Sequence, residues 1–467
     1  MNRWLVWNVL FRIHELAKGH ATYRVLRELE DAERLSAGEL EKLCAAKLQE
    51  LLGYCYAHVP YVRTRMREAG IQPSQIRGPQ DLARLPLMTK ADVRQHRASL
   101  HSDLNVSLVP FSTGGSTGEP LIFDLARRRI AARVACRQRA SRWWDLSVGD
   151  REFVFWGSPV ELTRQDWLRN LRDRLLRTQL LSAFEMSEPM MSRFLDLITA
   201  KGCRQIFGYP SSIYLLCLYA NKCGRNLRGL GIKAVFVTGE VLLPYQRELI
   251  TETMNCPVAN GYGGRDSGFV AHECPQGGMH LMVDAVITEV VDPEGRPLPP
   301  GEAGEIVITD LYSHEMPFLR YATGDIGVLS SRRCSCGLVL PLLERIEGRS
   351  TDFILTPDGR TLHALSLIYI LREIEGVEQF RITQEKVDCF YVQVVRNANY
   401  RMESESRICD GLSRRLRAPV QVSFDYPASL PAEGSGKFRH VVCKIPIEGL
   451  QRREQDIPIV SASSVDR

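Results

Sequence analysis

Residues 111–123 read FSTGGSTGEPLIF, a run of Gly, Ser and Thr between apolar flanks. Glycine lets a backbone turn sharply and aim its amides at an anion, and Ser and Thr hydroxyls add donors, so the composition suits a phosphate. A surface turn of small residues would have the same composition. The stretch lacks the G-x-x-x-x-G-K-[ST] arrangement of the common nucleotide loop, because Gly118 is followed by Glu119 and Pro120. A phosphate held here therefore requires another fold.

The flanking chain restricts that fold. After the opening run, short β-like runs alternate with helical ones: FVFWG, a helix over 189–201, QIFGYP, a helix from Ser211, AVFVTGE, and a helix from Pro244. Such alternation gives α/β layers with much parallel sheet. From residue 281 the texture changes to strands and turns, in LMVDAVITEVVD, PEGRPLPPGEAGE and IVITDL. The expected architecture is a layered α/β domain over 1–348 with a β-rich part near 281–345, a small α+β domain over 349–450, and a flexible tail over 451–467. Upstream, Leu40, Leu43, Leu48, Leu51 and Leu52 recur at helical spacing within 36–69, ending near Gly70, and Thr89 reads as the N-cap of a short helix.

A chain of 467 residues exceeds one ordinary core, and its 44% hydrophobic and 25% charged residues are those of a soluble enzyme. Sixty Lys and Arg against 55 Asp and Glu leave +5, too little to argue for nucleic acid. The basic run ARRRIAARVACRQRASRWW, 126–144, has the composition of a nucleic-acid or lipid surface, but Ile130, Ala131, Val134 and Ala135 recur at helical spacing, which favours a solvated basic helix face. At the N-terminus, Trp4, Leu5, Trp7, Val9, Leu10 and Phe11 are interrupted by Arg3, Asn8, Arg12 and His14, which falls short of a spanning helix and leaves an amphipathic one, packed on its own protein or, alternatively, resting on a membrane surface. No secretory cleavage pattern follows, and thirteen cysteines then indicate a reducing cytoplasm in which thiols stay free or hold metal. Cys274 and His280 form C-x5-H, and Cys334 and Cys336 form C-x-C before Gly337. Three thiolates and an imidazole suit tetrahedral zinc, with His272 as rival to His280; plain core or surface groups are the other reading.

Six motifs then fall in order: FSTGGSTGEP, VTGE at 237–240, NGYGGRD at 260–266, YATGD at 321–325, RIEGRSTD at 345–352 and GSGKFR at 434–439. In this order they resemble the adenylate-forming ligase superfamily, and within it phenylacetate-coenzyme A ligase and the related capsular-polysaccharide, CapK-like proteins. The likeness spans nearly the whole chain, including VPYVRTRMREAG and LPLMTKADVRQH.

The resemblance implies a two-step reaction. A carboxylate attacks the α-phosphorus of ATP, giving an acyl-adenylate and pyrophosphate, and a thiol then displaces AMP. Ser112, Thr113, Gly114, Gly115, Ser116, Thr117 and Gly118 would hold the β- and γ-phosphates. Gly239 and Glu240 would border adenine, Asn260 would meet its amino group, Tyr262 would stack on the base, and Gly261 and Gly263 would bring the backbone close. Asp266 would ligate magnesium, which a carboxylate suits. The superfamily usually has Ser or Thr followed by Glu where this chain has Arg265 and Asp266, so Arg265 brings a full positive charge with a different reach toward phosphate.

Asp325 would accept both ribose hydroxyls, and Arg349 would add a ribose or phosphate contact. Relatives often carry an acidic hinge residue two positions after that Arg; here it is Thr351. Lys437 would stabilise charge at the carboxylate and α-phosphate as catalytic lysine, then be carried away by rotation of the small domain. Trp156, Gly157, Tyr209, Pro210 and Gly261–Gly263 would line the acid pocket; core packing is the equal alternative for Trp156 and Tyr209.

ATP, Mg2+ and coenzyme A are the implied cofactors, a structural zinc an additional one, and room is left for a homodimer. An acyl-coenzyme A ligase for an aryl or related acid leads. Transfer to a non-coenzyme A acceptor in polysaccharide or secondary metabolism, or an inactive scaffold, remain as alternatives.

Overall fold

The computed structural model describes residues 2–113, 121–156, 167–183, 186–240, 242, 244–346, 353–358, 361–363, 365–428, 430 and 441–445. These fall into two compact units, most of the chain up to Ile346 and the segment from Phe353 onward.

Local signals in the first unit act where the sequence places them. Ser36 caps the helix Ala37–His58, accepting from the Glu39 amide while the Glu39 carboxylate accepts from the Ser36 amide. Leu40, Leu48, Leu51 and Leu52 of this helix are buried. Val59 and Pro60 break it and open a second helix, Pro60–Glu68. Thr89 and Asp92 form the same reciprocal cap at Lys90–Gln95. At the N-terminus, helical turns over residues 3–17 bury Val6 and Phe11, with Phe11 against Trp7 and Tyr23, while Trp4, Ile13 and Leu16 stay exposed. No described helix is long and apolar enough to cross a membrane.

The opening stretch flanks a hairpin of β1, Leu108–Ser112, and β2, Ile122–Ala126, with Ser112 opposite Ile122. The remaining strands of this unit form one sheet. They are β3 (Glu152–Phe155), β4 (Thr178–Leu181), β5 (Gln205–Gly208), β6 (Ala234–Val237), β7 (Val258–Gly264), β8 (Gly268–Glu273), β9 (Met279–Leu281), β10 (Val286–Val291), β11 (Ala303–Asp310), β12 (Tyr321–Ser330) and β13 (Leu342–Ile346), in the order β10-β11-β12-β13-β9-β8-β7-β6-β5-β3-β4. Strands β3 to β7 pair in parallel. Beyond β7 every pairing is antiparallel. The helices Glu188–Lys201, Pro210–Lys222 and Pro244–Met254 connect the parallel strands, as the alternation of patterns requires.

The basic run is the main correction. It forms the helix Arg127–Trp143, but the helix is not a solvated face: Arg129 and Arg139 are buried, and of its arginines only Arg127 is exposed. Arg139 grips buried Asp284 with both terminal nitrogens at 2.6 and 2.9 Å and donates to the Leu29 carbonyl. Arg129 pairs with Asp310 at 2.6 Å. Periodicity located the apolar stripe, but partners supplied by distant strands decide whether a guanidinium can enter a core.

The second unit has strands β14 (Phe353–Leu355) and β15 (Thr361–His363) as a hairpin. A separate sheet comprises β16 (Val377–Lys386), β17 (Cys389–Arg396), β18 (Gln421–Asp425) and β19 (Val441–Cys443), ordered β18-β17-β16-β19. The helices Leu365–Arg372 and Glu403–Leu416 supply Leu367, Leu371, Ile408 and Leu412 to its core. Buried Gln384 joins the pieces, pairing its amide with both backbone groups of Leu355 and its backbone carbonyl with the Lys444 amide.

Candidate functional site

In an open parallel sheet, ligands bind where the strands end at their carboxyl edge. Adjacent strands β3, β5, β6 and β7 end there in Trp156, Tyr209, Thr238–Glu240 and Asn260–Gly264. Trp156 and Tyr209 stack, with ring centroids 4.4 Å apart and planes 15° from parallel. Gly239 has φ +84°, and a Cβ there would lie 2.9 Å from the Tyr209 ring. The positive φ and the aromatic wall both exclude a side chain at this position.

Strand β7 runs beside β6 with Asn260 opposite Val237. Its backbone is packed closely: a Cβ on Gly261 would meet the His272 ring at 2.9 Å, and one on Gly263 would fall 2.2 Å from the Gly268 carbonyl. The Asn260 amide donates to Glu273 Oε2 at 2.8 Å, and Arg247 donates to the same oxygen at 2.9 Å and to the Val258 carbonyl at 2.6 Å. Tyr262, half-buried, donates its hydroxyl to Asp325 Oδ2 at 3.0 Å. Burial, with the Asp325 charge beside it, raises the Tyr262 phenol well above its ordinary range, so it remains a neutral donor. Asp325 stands on β12, its amide bonded to Thr323 Oγ1. The ring expected to stack on a base and the carboxylate expected to take a ribose are thus one hydrogen-bonded pair.

Asp266 follows β7 in the turn to β8. Its Oδ2 accepts from Tyr321 at 2.7 Å and its Oδ1 from the Ser267 amide at 3.1 Å, while its main-chain carbonyl takes Arg129 at 2.6 Å and Arg133 at 3.3 Å. Burial, reinforced by the neighbouring Arg129 charge, pushes the Arg133 guanidinium down to about 9. Each carboxylate oxygen of Asp266 accepts a hydrogen bond from Tyr321 or the Ser267 amide and keeps further lone-pair capacity for a hard cation, and the donor type fits magnesium. Arg265 donates to the Ser112 carbonyl at 3.2 Å, so its guanidinium reaches the neck of the β1–β2 hairpin. That neck is closed by Thr113, whose amide donates to the Leu121 carbonyl at 3.0 Å and whose hydroxyl accepts from the Leu121 amide at 2.9 Å.

Gly114, Gly115, Ser116, Thr117 and Gly118 lie outside the described residues, as do Gly157, Arg349, Thr351, Lys437 and the tail. Glu240 is half-buried after β6. Four other selected residues come together: the donor atoms of Cys274, His280, Cys334 and Cys336 all lie within 4.8 Å of one another. His272 is not among them; it is buried against Phe269, with Nδ1 at 3.1 Å from the Glu273 carbonyl, and burial drives its imidazole down to about 4.

Sequence reasoning did not select Glu273, Tyr321, Arg129 or Arg133. Tyr321 opens the YATGD motif and was available there, and Glu273 is a charge directly before Cys274 in a strand. The two arginines were concealed by the amphipathic pattern of their helix.

The CapK C-terminal domain family matches residues 354–444. The chain is 25% identical to the phenylacetate-coenzyme A ligase of Thermus thermophilus over 448 residues, covering 88% of this chain and 98% of that one. It is 22% identical to protein CapK of Staphylococcus aureus over 383 residues, covering 78% and 81%. The fold is that of 2-hydroxyisobutyryl-CoA ligase solved with 2-HIB-AMP and CoA in the thioesterification state, with a TM-score of 0.63, 23% identity, and 91% and 94% of the two chains covered. Motif order, sheet topology and these likenesses agree, and the chain is similar to the adenylate-forming ligases related to phenylacetate-coenzyme A ligase and CapK.

Proposed function

We propose that this protein activates a carboxylic acid with ATP as an acyl-adenylate, releasing pyrophosphate, and then transfers the acyl group to the thiol of coenzyme A. The observation that carries the reading is the joining of Tyr262 to Asp325 beside the carboxyl ends of β6 and β7. An aromatic face, a carboxylate and closely packed glycines are what a nucleoside needs for base, ribose and backbone contact.

In this reading Asp325 accepts the ribose hydroxyls, while Tyr262 holds that carboxylate and presents its ring to the base. Asp266 would hold Mg2+, which when bound neutralises phosphate charge; Tyr321 and the Ser267 amide fix the carboxylate that does so. Arg265 brings its charge to Ser112, at the head of the 112–118 run, and the resemblance assigns Arg349 to ribose or phosphate and Lys437 to the developing charge at the α-phosphate. The acid occupies the side of Trp156 and Tyr209, whose stacked rings suit an aryl or related group. The cofactor set is completed by a structural zinc at Cys274, His280, Cys334 and Cys336.

The product decides between acceptors. Incubation with ATP, Mg2+ and aryl, fatty or hydroxy acids, each with and without coenzyme A, is expected to give an acyl-coenzyme A thioester for one acid class. Acid-dependent pyrophosphate release that coenzyme A leaves unchanged, with no thioester, would instead indicate a carrier thiol or sugar amine as acceptor.

A further inference from the structure

Two turns meet where β9 is held between β8 and β13. His280 of β9 lies opposite His272 of β8 and Leu342 of β13. The turn after β8 carries Cys274, and the segment before β13 carries Cys334 and Cys336. The first turn is closed by the Cys274 amide on the Gly278 carbonyl and the Gly277 amide on the Cys274 carbonyl, each at 2.9 Å. A Cβ on Gly278 would lie 2.5 Å from the Cys334 sulfur, so only hydrogen fits there.

The donor atoms are arranged for a metal. Cys274 Sγ and Cys334 Sγ are 3.6 Å apart, and His280 Nε2 is 3.1 Å from Cys336 Sγ. Zinc–sulfur bonds of about 2.3 Å in a tetrahedron put sulfurs about 3.8 Å apart, whereas a disulfide needs about 2.0 Å. His280 Nδ1 lies 2.9 Å from the Leu340 carbonyl, which can only accept. Nδ1 therefore carries the proton, and the Nε2 lone pair faces the sulfurs; this is how a protein orients an imidazole ligand. The Leu338 amide also points at Cys336 Sγ, at 3.5 Å. Among the described residues, no other group of three or more His, Cys, Asp or Glu is so arranged.

The residue before the first of these cysteines is Glu273, whose carboxylate takes the Asn260 amide and Arg247. Its carbonyl accepts from Trp144 Nε1 at 3.0 Å. The cluster thus sits one peptide from the group that fixes β7.

We infer that Cys274, His280, Cys334 and Cys336 hold one zinc ion in a closed site filled by protein ligands, and that this ion positions Glu273 and, through it, the Asn260 segment of β7. The first half is independent of the reaction; the second rests on β7 being the nucleotide strand. Glu273 is a positioning residue, not a catalytic one. Zinc here has no open position for substrate or water and does no chemistry.

The test begins with elemental analysis of the full chain purified from zinc-supplemented cells, where about one equivalent of zinc is expected. A Cys334→Ser/Cys336→Ser variant should retain less than about a tenth of that. Glu273→Gln should keep its zinc while its Kd for ATP, measured by equilibrium binding, rises about tenfold, corresponding to roughly 1.4 kcal/mol. Wild-type protein without zinc and with all four side chains freely reactive would overturn the site, and zinc retained by the double variant would overturn these ligands. An unchanged ATP Kd in zinc-bearing Glu273→Gln would overturn the positioning role; it does not depend on the double variant folding. Zinc at one equivalent in a chain that binds no ATP would support the ion site while removing both the positioning role and the ligase reading.

Discussion

At the scale of single residues, Asp325 and Tyr262 have separable tasks. Hydrogen bonds to a charged group are worth about 1.5–3 kcal/mol and neutral ones about 0.5–1.5. Asp325→Ala should therefore raise the KM for ATP by roughly ten- to a hundredfold, whereas Tyr262→Phe, which keeps the ring and loses the hydroxyl's bonds to Asp325 and Thr323 but no group that touches the ribose, should raise it less than about tenfold. Steady-state kinetics at varied ATP checks both. Equal losses would mean that Tyr262 does more than hold the carboxylate. These two residues were legible because motif and spacing mark them. The bonds that give Glu273 and Tyr321 their roles were not, although Tyr321 itself opens the YATGD motif, because a hydrogen bond from β7 to β8 or from β12 to a turn depends on pairing order, which no local pattern contains.

At the scale of elements, the helix Arg127–Trp143 gives the sharpest contrast between pattern and packing. Removing one partner of a buried ion pair costs about 3–5 kcal/mol, while exposed substitutions stay within about 0.5 kcal/mol. Arg139→Met should lower the Tm of the large unit by several degrees and Arg127→Met should leave it unchanged, as read by scanning calorimetry. Similar shifts in both would restore the solvated face that the sequence alone indicated.

A second element-scale effect is acid sensitivity. His314 is buried beside Tyr54, and burial, with Arg128 nearby, drives its imidazole from 6.5 down to about 4 although Glu50 opposes this. Between those values the unfolded chain binds the proton and the folded one does not, so stability falls as pH drops from about 6.5 to about 4. Glu50, held below the ordinary carboxylate range, acts in the same direction only at still lower pH. His314→Phe should reduce the slope of the Tm profile over that interval, the remainder coming from His272, which burial drives down in the same way; an unchanged slope would assign it to other groups. The alternation of helical and strand patterns made the connections of β3 to β7 readable, and the N-cap at Thr89 made one helix start readable, whereas the capping box at Ser36 went unread. The joining of parallel and antiparallel halves at β7 was not, because a period of two identifies a strand without naming its neighbours.

At the scale of the whole molecule, the two units would divide the reaction between them. In the sequence Lys437 precedes β19, where GSGKFR runs up to His440 and Val441. Lys437→Ala should abolish adenylation while thiolysis of supplied acyl-adenylate by coenzyme A largely survives, and single-turnover assays of each half-reaction check this. Equal loss of both would remove the division of labour.

The most direct test is pyrophosphate release from ATP and Mg2+ by the full chain across a panel of aryl, fatty and hydroxy acids. Release that depends on one class of acid, and falls roughly ten- to a hundredfold in Asp325→Ala at subsaturating ATP, is the expected result. No acid-dependent release, together with no measurable ATP binding, would contradict the ligase reading and leave a scaffold built on the same fold.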